Sequence, residues 1–394
     1  RAWQRWPQRE ELAQLCTAVK ATLCEDSCRG RDSLILRGVG VLLSLLATTA
    51  MLSISSIGSS SFSGWPTDSS SSLSVEPLFG EHIVTAEAGA WSVWGWEPPA
   101  GRAAGCRWAR FVNNTSICLR PEDDLLSAAI LKDGHWFECA DLPSLLGGGG
   151  LFVDVGANLG ACTLHMLAAT GANVVAFEPG AANRWYLRSS LLALRPPPRS
   201  RLALYPLAAG SANETLQLHA AVGNAGHSVL GERSSKYAYK GWELPETVVV
   251  RTLDSVLWPE RARPPPSISL LKLDVEGFEC KALVGMRALL GAAAVRLVKA
   301  EVFDDGLRAQ GCSGVELQQE LRRAGFRLFV APADAAGAAG DPLARATPLA
   351  AETLHSTEPY NLYAASESAI QRGEFASIPP ERWPRRRHHR SRTV

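Results

Sequence analysis

The sequence predicts an α/β fold, a doubly wound, mostly parallel sheet with helices on both faces. Two observations predict it, and a third says where such a sheet would act. Short runs rich in Val, Leu and Ile recur between residues 151 and 303 with little polar interruption, as strands covered on both faces require. Stretches with helical patterning separate several of them, which favours parallel strands joined by crossovers. The first run leads through a glycine-bearing turn into a helix-compatible segment, FVDVGANLG followed by ACTLHMLAAT.

In chain order the strands are expected at LFVDV (151), ANVVAFE (172), RLALYPLA (201), SISLLKLDV (267) and VRLVKAEVF (295). Helices are expected over residues 183–194, 280–290 and 315–324. FRLFV (326) and NLYAA (361) flank an Ala/Gly-rich loop and suit a terminal antiparallel pair. This domain is expected over residues 117–368. Residues 1–37 are polar and mildly basic and open on Arg1, as in a fragment or a processed chain. Residues 38–57 carry no charge, and about 20 such residues suffice to cross a bilayer core as a helix. Arg29, Arg31 and Arg37 precede this run and would leave its N-terminal end in the cytosol. Residues 58–75 are Ser-rich and read as a disordered stem, residues 76–116 suggest no role, and residues 369–394 read as a basic disordered tail.

The 394 residues carry a net charge of +1, with 20% charged and 46% hydrophobic residues. This is enough apolar material for a core, and it gives no electrostatic pull toward nucleic acid. Nine cysteines leave at least one unpaired within a monomer. Cys106, Cys118 and Cys139 are candidates for pairing in an oxidising lumen, whereas Cys162 and Cys280 fall in helical, buried stretches and read as packing. Cys24 and Cys28 lack the two further ligands a structural zinc needs, and no metal site is expected, although a divalent ion at Asp274 and Glu276 is compatible with the chemistry. Asn113, Asn114 and Asn213 head N-x-[ST] sequons and would accept glycans in a lumenal domain.

The turn after the first strand has the layout of a nucleotide site, since glycine admits close backbone approach. Glu178 ends the next strand, where an acid can accept hydrogen bonds from both ribose hydroxyls. Only Gly156 and Gly160 are present, with Asn158 between them, so the three-glycine dinucleotide pattern is incomplete. Asp154 would repel a pyrophosphate but suits a ligand that carries an ammonium group. S-adenosylmethionine has that group, a ribose and no phosphate. No G-K-[ST] follows the turn, which excludes Walker-type phosphate binding. A second constellation, LLKLDVEGFE at 270, gathers Lys272, Asp274, Glu276 and Glu279 at another strand end. Ligands of open α/β sheets sit outside such ends, so Asp274 and Glu276 are the candidate catalytic pair, and Glu279 is as well explained as a helix N-terminal acid.

Taken together, DVGANLG (154), AFEP (176), GNAGHS (223), TLDSVL (252), LKLDVEGFE (271) and KAEVF (299) resemble the FkbM-type family of S-adenosylmethionine-dependent methyltransferases. PEDDLLSAAILKDGHWFE (121) is similar to the lead-in of that family. The resemblance implies a class I, Rossmann-like methyltransferase that most often methylates a hydroxyl of a sugar or secondary metabolite. It assigns Asp154, Gly156, Ala157, Asn158 and Gly160 to the methionine end of the cofactor and Glu178 to its ribose. The family's adenine-side acid is replaced by AAGSANE, where Ser211 stands nearest. Asn224 and Gly226 match an N-x-G loop, in which His227 reads as an exposed loop histidine or, less favoured, a general base. The expected partner is a small-molecule or glycan hydroxyl, and the expected setting is an endomembrane, single-pass anchored protein with a lumenal catalytic domain, the alternative being a soluble or organelle-targeted one. A catalytically silent methyltransferase-like domain and a nicotinamide-dependent oxidoreductase are the rival readings.

Overall fold

The structure is a computed structural model. It describes residues 105–120, 124–147, 149–195, 200–233, 240–331, 341–349 and 358–375, together with residues 356 and 378 and the short paired strands β1 (Val75–Pro77) and β2 (Val84–Ala86). All of them belong to the unit Ser72–Val394. The expected anchor at residues 38–57, most of the Ser-rich stem and the sequence after residue 378 lie outside the described residues. Among the described residues no helix is long and apolar enough to cross a membrane.

Eight strands form the main sheet. They are β5 (Leu151–Val155), β6 (Asn173–Phe177), β7 (Leu202–Tyr205), β12 (Ile268–Leu273), β13 (Leu297–Val302), β14 (Phe326–Val330), β15 (Thr347–Pro348) and β16 (Tyr360–Ser366), in spatial order β15-β14-β16-β13-β12-β5-β6-β7. The five strands from β13 to β7 are parallel. FRLFV and NLYAA do pair antiparallel, but β16 lies between β14 and β13 and runs antiparallel to both. Strand order reverses between β5 and β12, the position at which two successive loops diverge and leave a crevice.

Successive residues of each parallel strand enter opposite cores, as the two-residue period dictates. Phe152, Val174, Ala176 and Leu270 pack on one face with helices α3 (Ala161–Ala169) and α4 (Ala181–Ala193). Val153, Val155, Val175, Leu271 and Val298 pack on the other with α6 (Glu279–Val284) and α9 (Gly314–Arg323). The expected helix at 280–290 is in fact two short ones, α6 and α7 (Arg287–Gly291). Sequence capping is visible at α9, where the Ser313 hydroxyl accepts from the Glu316 N–H and donates to the Glu316 carboxylate, a side-chain N-cap.

A second, four-stranded sheet was not foreseen. It comprises β8 (Ala208–Ala209), β9 (Glu214–Ala221), β10 (Asn224–Leu230) and β11 (Glu246–Arg251) in the order β10-β9-β11-β8. The expected N-x-G loop is therefore part of a strand, with a bulge between Asn224 and Ser228. The core also reaches past the expected domain limits. Phe111 on one side and Phe375 and Ile378 on the other are buried in it. The start of the expected disordered tail is thus a helix, α10 (Glu367–Gln371), and packed side chains. Ahead of residue 117, β3 (Arg107–Arg110) pairs with β4 (Ser116–Leu119).

Cys162 and Cys280 correct the packing assignment. They form disulfides Cys139–Cys162 and Cys280–Cys312, beside Cys106–Cys118. Both are buried or half-buried as expected, but burial and pairing are compatible, and the partners lie in distant or irregular sequence that no local pattern connects.

Candidate active site

The acids of the site come from strand ends. Asp154 is the fourth residue of β5, Glu178 follows β6, Asp274 follows β12 and Glu301 is the fifth residue of β13. A cavity of about 490 Å³ opens beside these ends, bounded by residues 155–158, Glu178, Lys272, residues 274–276 and Glu301. The β10 strand closes one side with Asn224, Gly226, His227 and Ser228, and the lead-in segment closes another with Trp136, Phe137 and Glu138.

Glycine is required at the first turn for steric reasons. Gly156 has φ +88, and a Cβ there would lie 1.8 Å from the Asp274 carbonyl oxygen. The two strand-end loops can approach only because that side chain is missing. Gly160, at φ +87, makes the same allowance for Leu187 of α4. The turn is tied down by the Gly156 and Ala157 N–H groups, which both donate to the Phe177 carbonyl. Glu178 holds it from the side. Its Oε2 accepts from the Asn158 N–H at 2.8 Å, and its Oε1 accepts from the Gly180 N–H at 2.8 Å. Burial raises the Glu178 carboxyl above its ordinary range, and these two N–H groups oppose that shift. Oε1 also accepts from Asn183 Nδ2 at 3.4 Å, which leaves Oε2 the freer acceptor for a further donor.

Lys272 is a buried cation between two carboxylates. Its Nζ lies 2.7 Å from Asp274 Oδ2 and 3.8 Å from Asp154 Oδ1. Burial alone would lower the lysine, but Asp274 and Asp154 overcome it and keep the ammonium charged. Asp154 is fully buried and accepts from the Thr163 hydroxyl at 2.7 Å. It lies beneath the cavity, outside its lining.

Glu276 sits in the left-handed region at φ +54, a cost for a non-glycine residue that is concentrated at sites where geometry matters. Its Oε2 lies 2.8 Å from His227 Nδ1. Burial raises the Glu276 carboxyl, opposed by the His227 hydrogen bond. Glu301 is raised well above its ordinary range by burial and then by the charges of Asp274 and Glu276. Asp274, Glu276 and Glu301 place carboxylate oxygens within 4.8 Å of one another. Such a trio can receive one cation, which the sequence spacing alone did not show because Glu301 comes from a neighbouring strand.

Glu279 is structural. Its Oε1 accepts from the Val275 and Gly277 N–H groups at 2.9 and 3.2 Å, so it shapes the loop that presents Asp274 and Glu276. Burial pushes its carboxyl up to about 8 from 4.5. Folding therefore takes up a proton between these values. The resulting stabilisation is complete below about 4.5 and is lost as pH rises through about 8. Melting temperature is expected to fall from pH 6 to pH 9, and Glu279→Gln, which keeps the acceptor and removes the charge, is expected to flatten that decline. An unchanged slope in the variant would assign the pH dependence elsewhere.

Of the residues expected at the site, Gly156, Ala157, Asn158, Glu178, Asp274 and Glu276 line the cavity. Asp154 and Gly160 support it from behind. Ser211 does neither, because it is exposed in the turn after β8, and the cavity is instead lined there by Leu207, Ala208 and Ala209. His227 is buried at 3% exposure, not an exposed loop residue, because β10 carries it under Trp242, with ring centroids 5.7 Å apart. Glu301 and Glu138 were missed. The signal for Glu301 was present in KAEVF, an acid at a parallel strand end like the other three. Glu138 has no comparable local signal.

Residues 154–328 match the methyltransferase FkbM domain. No curated protein matches the sequence. Among solved structures, precorrin-6y C5,15-methyltransferase from Geobacter metallireducens overlaps at 8% identity and TM-score 0.29, covering 64% of this chain and 95% of that one. A SAM-dependent O-methyltransferase from Thermotoga maritima overlaps at 11% identity and TM-score 0.30, covering 69% and 94%. The C-terminal domain of precorrin-6Y C5,15-methyltransferase from Rhodobacter capsulatus overlaps at 13% identity and TM-score 0.25, covering 57% and 84%. The motifs within residues 154–328 converge on one cavity. The domain spanning residues 154–328 is a member of the FkbM methyltransferase family.

Proposed function

We propose that this domain is an S-adenosylmethionine-dependent methyltransferase acting on a hydroxyl oxygen of a sugar or other small molecule. The observation that carries the reading is the acidic wall, since Glu138, Asp274, Glu276 and Glu301 face one cavity whose lining includes one lysine, Lys272. Such a wall favours a cationic ligand and opposes a pyrophosphate, which disfavours a nicotinamide dinucleotide. The donor set fits the cofactor. Glu178 offers carboxylate oxygens to a ribose diol, and Leu207, Ala208, Ala209 and Phe177 offer an apolar wall to a base. Bound there, S-adenosylmethionine supplies a methyl group activated by its sulfonium.

The residues of the chain divide the remaining work. Asp274 accepts from the Lys272 ammonium at 2.7 Å, which fixes its carboxylate and suits it to orienting polar groups. Glu276, raised by burial and steadied by His227, suits the general base that takes the acceptor's hydroxyl proton. Trp136 and Phe137 give the acceptor an apolar surface at the rim. Incubation of the full chain with isotopically labelled S-adenosylmethionine and a panel of hydroxylated small molecules and glycans is expected to give alkali-stable methyl ethers. Label recovered on nitrogen or carbon, or turnover only with nicotinamide cofactors, would contradict the proposal.

A further inference from the structure

Six cysteines of the described residues form three disulfides, Cys106–Cys118, Cys139–Cys162 and Cys280–Cys312, with Cα–Cα separations of 5.0, 5.0 and 6.5 Å. They clasp the β3–β4 hairpin, the lead-in to α3, and α6 to the segment before α9. Bonds of this kind persist where the medium is oxidising, as in secretory compartments, and are rare where thiols are kept reduced. The same compartments of eukaryotic cells can modify asparagine in N-x-[ST].

The three sequons differ in what their side chains do. Asn113 and Asn114 form the tip of the β3–β4 hairpin, and both are exposed. The Asn113 carboxamide is engaged, however, with Nδ2 donating to the Ala168 carbonyl at 3.0 Å, and the Thr115 hydroxyl of its sequon donates to the Val112 carbonyl at 2.7 Å. The nitrogen that would carry a glycan is thus turned onto the end of α3. Asn114 is exposed, and so is Ser116, the hydroxyl residue of its own sequon. Asn213 is exposed in the turn before β9, as are Glu214 and Thr215. Its Oδ1, not its nitrogen, accepts from the Thr252 N–H at 3.4 Å. A glycan on the hairpin tip also leaves the cavity clear. The α3 helix starts next to the cavity at Gly160, and Ala168 lies about 12 Å further along its axis.

We propose that Asn114 and Asn213 are N-glycosylation sites and that Asn113 is not, the domain maturing in an oxidising secretory lumen. In the modification, the asparagine Nδ2 bonds to the anomeric carbon of a lipid-diphosphate-linked oligosaccharide. The bond from that carbon to the diphosphate oxygen breaks, its electron pair leaves with the lipid diphosphate, and the nitrogen loses one proton. The inference does not depend on the methyl-transfer reading.

The test is expression of the full chain in a eukaryotic cell. Gel mobility would be followed before and after peptide-N-glycosidase, with peptide mass spectrometry locating each asparagine that the enzyme converts to aspartate. The wild type is expected to lose two glycan-sized steps. Asn114→Gln and Asn213→Gln should each lose one, the double variant none, and Asn113→Gln should behave as wild type. Peptide mapping of the wild type reads the same assignment without any substitution, so a poorly folding variant leaves the test intact. A wild type insensitive to the glycosidase would overturn the proposal. A shift surviving in the double variant, or conversion mapped to Asn113, would overturn the choice of sites.

Discussion

Glu276→Gln is expected to lower methyl transfer by about 10²–10⁴-fold, the usual contribution of a positioned general base. Gln preserves the shape, the positive φ at which Glu276 sits and an acceptor oxygen for His227, and it removes only the ability to take a proton. Melting temperature should therefore stay near wild type, and S-adenosylmethionine affinity should fall far less than turnover, since three of the four acids of the wall remain. In the wild-type enzyme the base must be ionised, and burial raises its carboxyl above the ordinary range. The acidic limb of the rate–pH profile should accordingly lie above that of an exposed glutamate, with the rate rising as pH increases through it. Steady-state rates over pH 5–9, with affinity and melting measured on the same samples, decide the matter. Normal turnover by a folded Glu276→Gln protein would remove Glu276 as the base.

The second large effect is on stability. Lys299 and Asp141 are 2% and 0% exposed and meet at 2.8 and 3.0 Å across both carboxylate oxygens. The Tyr363 hydroxyl donates to Asp141 at 2.6 Å, and Lys299 also donates to the Glu138 carbonyl at 2.6 Å. Burial, followed by the Asp141 charge, drives the Tyr363 phenol well up, so it stays a donor. This network fastens the lead-in segment to β13 and β16. Lys299→Met leaves the Asp141 charge buried with its principal partner gone, which is expected to cost about 3–5 kcal/mol in denaturant unfolding. Replacing both partners, as Asp141→Leu with Lys299→Met, should recover a large part of that loss. A single-variant cost below about 1 kcal/mol would show that the pair is not sealed from water. Because the Glu138 carbonyl is one of the anchors, the single variant should also loosen the cavity wall formed by Trp136 and Glu138.

The legible part of the fold was the main sheet. Runs such as LFVDV and SISLLKLDV are apolar on both faces, and only a doubly covered parallel strand tolerates that. The β8–β11 sheet was not legible, because ETLQLHAA buries only Leu218 and Ala221 and reads as polar loop. That omission also misplaced His227, whose burial depends on the β10 bulge and on Trp242, 15 residues further along the chain. At the site, the glycine turn and the acids of the recognised motifs were readable because each is local. The trio of Asp274, Glu276 and Glu301 was not, since it needs the register of β12 against β13. Asp154 shows the converse. The motif marks it, yet the strand buries it, so its partners are Lys272 and Thr163 and its effect on a ligand is indirect.

The cavity at these strand ends is expected to take a cationic adenosine cofactor. Calorimetric titration of the full chain with S-adenosylmethionine, and separately with NADH, tests it most directly. Saturable one-site binding of S-adenosylmethionine, no binding of NADH, and an affinity loss on the order of 10–100-fold in a folded Glu178→Ala variant are the expected results. Binding of NADH in preference to S-adenosylmethionine, or S-adenosylmethionine affinity indifferent to Glu178, would contradict the account.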